Sequence, residues 1–277
     1  MHSTNGNSVS TSSFGTVNVS SLHTQLHCLH DVKCDVLLVQ ETRVQERGQA
    51  AMRGLLRREG WGVLWGHSAP SPHWGGVAIL TKKGHAATHV QPATTGGAAA
   101  YAEGRLQVAA VALGNGRKVI YVINLYAHSG SDRLQEREAL FRTAFKEAEA
   151  LGSATVAIGG DWNTGPEVSA EIRGALRGGR WHDVGAQLGL ATVPTFLSSQ
   201  GCSRLDYWLL SSHATQLVDA YNVLTSTAVP AHRPVVMRIR SNSNAQPTTQ
   251  LGCTSRVTFF WTASQGRVRR KLRRNAH

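Results

Sequence analysis

Seven polar side chains stand where short apolar runs end, and packing gives no reason for them. Asn18 closes Thr-Val-Asn, Glu41 closes VLLVQE, Tyr126 closes VINLY and Asp161 and Asn163 close VAIGGDWN, while Asp206 lies in SRLDYWLL and His232 stands just before PVVMRI. Carboxylates, amides, a phenol and an imidazole are the groups that move protons, bind hard cations and donate to anions. Taken singly, each is a common cap or turn residue. Loops at the ends of a rigid sheet are where catalytic groups are presented, and this placement recurs along the chain.

The elements that must hold these residues are legible as strands. VLLV at 36–39, GVAILT at 76–81, RLQVAAVAL at 105–113, KVIYVINLY at 118–126, TVAIGG at 155–160, LDYWLLS at 205–211 and PVVMRI at 234–239 are short apolar runs bounded by turn residues. Gly114-Asn115-Gly116 predicts a hairpin between two of them. Asp132 with Gln135 predicts a capped helix start, followed by Leu140, Phe141, Ala144, Phe145, Ala148 and Leu151 at helical spacing and a stop at Gly152. Further helices are expected over 21–33, where Leu22, Leu26 and Leu29 recur, over 46–59 and near 168–177. Hairpins mixed with strand-helix-strand units predict an α+β layered sandwich. The expected organisation is a flexible segment over 1–15, one domain over 16–240, and a polar linker with a basic tail over 241–277.

In order along the chain, Asn18-Val19-Ser20, Gln40-Glu41-Thr42, Gly75 to Leu80, Asn124-Leu125-Tyr126, Gly160-Asp161-Trp162-Asn163, Arg204-Leu205-Asp206-Tyr207 and His232-Arg233-Pro234-Val235 resemble the endonuclease/exonuclease/phosphatase superfamily. The resemblance spans residues 16–240 and implies a four-layered α/β sandwich, two mixed sheets packed face to face and flanked by helices. It implies a divalent-metal-dependent phosphodiester hydrolase acting on nucleic acid, of the abasic-site endonuclease or deoxyribonuclease I kind, and the basic end is compatible with a retrotransposon-like endonuclease. On this resemblance Glu41 holds Mg²⁺ or Mn²⁺, Asp161 activates water, Asn163 and Tyr126 contact the phosphate, and Asp206 orients His232. Asn18, Arg204 and Arg233 are then substrate-binding. The chain departs from the pattern at Ala231, where many members have Asp, and at Ser20, where abasic-site endonucleases have Asp. These departures keep a catalytically impaired nucleic-acid-binding relic as an alternative, beside a phosphatase or a deadenylase.

The 277 residues carry 29 Lys and Arg against 17 Asp and Glu, a net +12, and no acid lies beyond residue 240. Arg256, Arg267, Arg269, Arg270, Lys271, Arg273 and Arg274 concentrate +7 in the tail. Such a balance favours a polyanionic partner, nucleic acid or an anionic membrane surface, and the family resemblance implies DNA ahead of RNA. Four scattered cysteines form no disulfide framework or paired zinc spacing, and no apolar stretch suits a membrane span. A soluble, intracellular monomer without a membrane partner is expected, nuclear or cytoplasmic. No P-loop, dinucleotide fingerprint or HExxH occurs. His23, His27 and His30 with Cys34 have the spacing of zinc ligands but also of a polar helix flank, and Trp61, Trp65 and Trp74 are expected mainly as anchors.

Overall fold

A computed structural model describes residues 10–113 and 118–241. The Gly114-Asn115-Gly116 turn and the basic tail lie outside these residues. The strands are β1 (Ser10–Asn18), β2 (Val36–Gln40), β3 (Trp61–Trp65), β4 (Val77–Lys82), β5 (Ala87–Val90), β6 (Leu106–Leu113), β7 (Lys118–Tyr126), β8 (Val156–Asp161), β9 (Trp181–Asp183), β10 (Phe196–Ser198), β11 (Gly201–Ser203), β12 (Asp206–Ser211), β13 (Val218–Val223) and β14 (Val235–Ser241). The α-helices are α1 (Leu22–Gln25), α2 (Glu46–Arg58), α3 (Thr95–Ala102), α4 (Leu134–Ala150), α5 (Ala170–Arg177), α6 (Val184–Gln187) and α7 (Ser212–Thr215).

The strands form two mixed six-stranded sheets, ordered β13-β14-β1-β2-β4-β3 and β5-β6-β7-β8-β12-β9, and a small β10-β11 hairpin. The β1–β2 and β7–β8 pairs are parallel. Three apolar cores separate four layers. Phe14, Val36, Leu38, Ile79 and Met237 of the first sheet meet Val111, Ile120, Val122, Trp208 and Leu210 of the second. Leu125 and Ile158 pack under Phe141 and Phe145 of α4 and Ile172 of α5. Val17, Leu37 and Val39 pack under Met52 and Leu56 of α2. The expected sandwich is therefore present. Close inter-strand packing needs a glycine in β8, because a Cβ on Gly159 would lie 2.5 Å from the Trp208 ring.

Three local expectations need correction. Strand β1 begins at Ser10, inside the stretch expected to be flexible, because Ser10–Thr16 pairs along β14 and polar Ser and Thr suit a half-exposed strand end. Helix α4 enters through a 3₁₀ turn over Ser131–Arg133, so Asp132 precedes the helix and no side-chain cap forms. The 21–33 segment is one α-turn followed by a 3₁₀ helix, Leu26–Asp31, which still buries Leu22 and Leu29. Its histidines face outward: His30 pairs with Glu59 at 2.7 Å, while Cys34 is buried, so among the described residues they form no zinc site.

Candidate active site

The end of each sheet delivers one half of the site. On the second sheet, Tyr126, Asp161 and Asp206 stand side by side, because Asp161 is in register with Tyr126 on parallel β7 and with Asp206 on antiparallel β12. On the first sheet, Asn18 and Gln40 end neighbouring parallel strands, and Glu41 follows at once. Asn18 Nδ2 reaches across to Asp161 Oδ2 at 2.8 Å, while Asn18 Oδ1 accepts the Ser20 amide at 2.8 Å. His232 arrives on the loop before β14 and places Nδ1 2.9 Å from Asp206 Oδ2. Ligand atoms of Asp161, Asp206 and His232 all lie within 4.8 Å of one another.

Burial sets the electrostatics. Asp161 is 1% exposed, and burial followed by the Asp206 charge raises its carboxyl well above the usual carboxylate range, against the opposing pull of His232, Asn18 and the Asn163 amide. For His232, burial alone would favour the neutral ring. The Asp206 carboxylate, helped by Asp161 and Glu41, outweighs it and raises the imidazole to about 9. Burial and the charges of Glu41 and Asp161 push the Tyr126 phenol up, so it keeps its proton as a donor.

Asn163, two residues after Asp161, turns back onto it. Its φ of 50° is left-handed rather than extended, a conformation asparagine tolerates. Its backbone N donates to Asp161 Oδ1 at 3.0 Å, and Nδ2 contacts Asp161 Oδ2 at 3.2 Å and the Ala127 carbonyl at 3.0 Å. In this arrangement Asn163 braces Asp161. Trp162 between them is fully buried and stacks on Tyr207 with ring centroids 5.0 Å apart, which anchors the turn.

Arg204 is misplaced as a substrate contact. Its guanidinium makes a bidentate pair with Asp183 at 2.6 and 2.7 Å, and both side chains are under one-tenth exposed, so the charge is consumed inside the fold. Arg233 is half-buried and donates to the Pro194 carbonyl at 3.2 Å. Glu41 accepts from Arg43 Nε at 3.1 Å and from Nη2, both on Oε1, which leaves Oε2 outside the pair. Ser20, Glu41, Arg43, Asn163 and Ala231 are the positive-φ non-glycine residues among those described. Each is a site residue or a close chain neighbour of one, as expected where backbone strain serves a site.

Two contributors escaped the sequence reading. Arg105 is 5% exposed, lies 4.8 Å from the Tyr126 ring centroid and 5.4 Å from that of Trp74, and donates to the Ala127 carbonyl at 3.2 Å. Its position at the head of an apolar strand was the available signal. Thr195, fully buried, accepts from the Leu205 and Asp206 amides at 2.9 and 2.8 Å and so fixes the start of β12.

Residues 15–229 match the family model for the Endonuclease/Exonuclease/phosphatase family. The chain belongs to that family. Several solved structures share the fold at low identity. AP endonuclease LMAP from Leishmania major is 18% identical with a TM-score of 0.65, over 84% of this chain and 89% of that one. A single-residue variant of the 3′ phosphatase NExo from Neisseria, bound to product DNA hairpin, is 19% identical with a TM-score of 0.62, over 82% and 99%. An AP endonuclease from Archaeoglobus fulgidus is 20% identical with a TM-score of 0.64, over 81% and 98%. No curated protein sequence matches the chain. The family match stops at residue 229, so the case for His232 rests on its contact with Asp206.

Proposed function

We propose that the chain is a divalent-metal-dependent phosphodiester hydrolase acting on nucleic acid, with DNA preferred to RNA. The observation that carries this reading is the buried cluster of Asp161, Asp206 and His232, tied to the opposite sheet through Asn18. Water attacks phosphorus in line, the P–O bond to the leaving oxygen breaks, and the proton of the water needs a base. Asp161 is that base, made more basic than an ordinary carboxylate by burial. His232, kept protonated by Asp206, sets a cationic donor against the charge that develops on the phosphoryl oxygens. Tyr126 donates its hydroxyl to a phosphate oxygen, and Asn18 and Asn163 hold Asp161 in place.

The donor set suits a hard cation. Carboxylates crowd one buried place, and Asp161 is raised partly by the Asp206 charge, a repulsion that a cation relieves. Glu41, whose charge acts on Tyr126 and His232, would hold Mg²⁺ or Mn²⁺, which when bound stabilises negative charge on the reacting phosphate. The NExo neighbour bound to a DNA hairpin and the net charge of +12 support a nucleic-acid substrate. Two observations favour a second reading, a catalytically impaired binding module: Arg43 already pairs with Glu41 Oε1, and Ala231 beside His232 brings no carboxylate.

Full-length protein incubated with supercoiled plasmid, abasic-site duplex, poly(A) RNA and an inositol polyphosphate, each in Mg²⁺, Mn²⁺ or EDTA, separates the readings. Cleavage of DNA in either metal and none in EDTA is expected. DNA retention without turnover would identify the binding module, and phosphate release from the inositol compound alone would identify a phosphatase.

A further inference from the structure

We infer that Asn124 and Gln40 are positioning residues, a cross-sheet strut that sets how Glu41 on one sheet faces Tyr126 and Asp161 on the other. The inference rests on the hydrolase reading above. Between the sheets the core is largely apolar, but beneath the site it changes to a polar layer of Thr16, Gln40, Gln107 and Asn124, all fully buried. Asn124 Nδ2, on β7, donates to the Val39 carbonyl at 3.2 Å and the Ala78 carbonyl at 2.9 Å, on the facing residues of β2 and β4. Asn124 Oδ1 accepts from Gln40 Nε2 at 2.7 Å, and Gln40 Nε2 also donates to Thr16 Oγ1 at 3.0 Å. Gln107, in register with Asn124 on β6, donates to the Leu64 carbonyl of β3 at 3.1 Å.

The strut therefore links β1, β2 and β4 to one side chain of the opposite sheet. Gln40 is the residue before Glu41, Thr16 lies two before Asn18, and Asn124 lies two before Tyr126, so the path from strut to site is short. Hydrogen bonds fix separation and direction, whereas apolar contacts have no preferred direction. The arrangement is also costly to the fold. Gln40 Oε1 and Gln107 Oε1 are buried without a hydrogen-bond partner among the described residues, and a well-packed apolar layer would avoid that penalty. A polar layer kept directly beneath the site despite this cost points to alignment of the two half-sites as its role.

The test uses full-length Gln40→Met, Asn124→Leu and the double variant, with Val122→Ala as a core substitution on the same strand. The readouts are kcat and KM for metal-dependent DNA cleavage, Mn²⁺ affinity by electron paramagnetic resonance, and melting temperature. Each strut variant should lose about 10- to 100-fold in kcat with KM little changed, the scale expected from misplacing groups by about 1 Å. Mn²⁺ binding should weaken, and the double variant should be no worse than the poorer single one. Val122→Ala should melt earlier but keep its kcat. Wild-type kcat in a folded strut variant, or an equal kcat loss in Val122→Ala at matched stability, would overturn the inference. Should Asn124→Leu not fold, Gln40→Met decides, because it leaves the Asn124 bonds to Val39 and Ala78 intact. Absence of wild-type cleavage would instead count against the hydrolase reading, and Mn²⁺ affinity alone would then judge the strut.

Discussion

His232 holds its proton more tightly in the folded protein than in the unfolded chain, and this sets the sign of the pH response. With the folded value raised to about 9, the stabilisation is complete below the unfolded value, near pH 6.5, and is lost as pH rises through about 9. Asp161, also raised, works in the same direction. A shift of this size is worth on the order of 3 kcal/mol. Denaturant melts in EDTA should show that loss between about pH 6 and pH 9.5 in the wild type and a smaller one in His232→Gln; equal losses would place the dependence elsewhere. Ala231 gives a second prediction. It is exposed with φ 61°, a conformation Asp accepts more readily than Ala, so Ala231→Asp should fold normally and lower the Mg²⁺ or Mn²⁺ concentration needed for half-maximal cleavage. An unchanged metal requirement in the folded variant would put Ala231 outside the cation's reach. At this scale the sequence exposed the strand-end polar residues, because nothing in an apolar run accounts for a terminal Asp or Asn. It could not tell Arg204 from a ligand contact, since the Asp183 partner lies 21 positions away.

Strands β1, β2, β4, β6, β7, β8, β12 and β14 are the interior strands of the two sheets, and all but β1 were legible as apolar runs. The four edges, β3, β5, β9 and β13, were not. Edge strands are short and half-exposed, so their residues lack a continuous apolar signature. Helix α3 was hidden for another reason. It contains Gly96 and Gly97, which disfavour helix, and tertiary contacts override that preference. Thr94 caps it by accepting the Gly97 amide at 2.9 Å, and Glu147 of α4, 3% exposed, accepts the Ala93 and Thr94 amides at 2.8 Å each. Glu147→Ala should thus cost about 2–3 kcal/mol by urea unfolding, with kcat unchanged, because charge-assisted hydrogen bonds are lost far from the site chemistry. A variant as stable as wild type would show that Glu147 does not hold the α3–α4 junction.

For the whole molecule, charge and chemistry are divided along the chain. The site residues end at Arg233, while Arg256 to Arg274 carry +7 with no acid. Deletion of residues 256–277 should leave the chemical step intact and weaken nucleic-acid binding. Each phosphate contact on duplex DNA contributes about 0.9 to the slope of log affinity against log salt, so losing three contacts changes the slope by roughly 2.7. Identical slopes would remove the tail from the binding surface. In the proposed hydrolytic site, built from the ends of the two sheets, Asp161 is the base. The most direct test of that role is the rate of Mg²⁺-dependent DNA cleavage by full-length wild type and by Asp161→Asn, which keeps the size and shape of the side chain, removes its basicity and leaves one oxygen to accept from Asn18 or Asn163. A folded variant slowed by about 10²- to 10⁴-fold is the expected result. A folded Asp161→Asn that cleaves at the wild-type rate would contradict it.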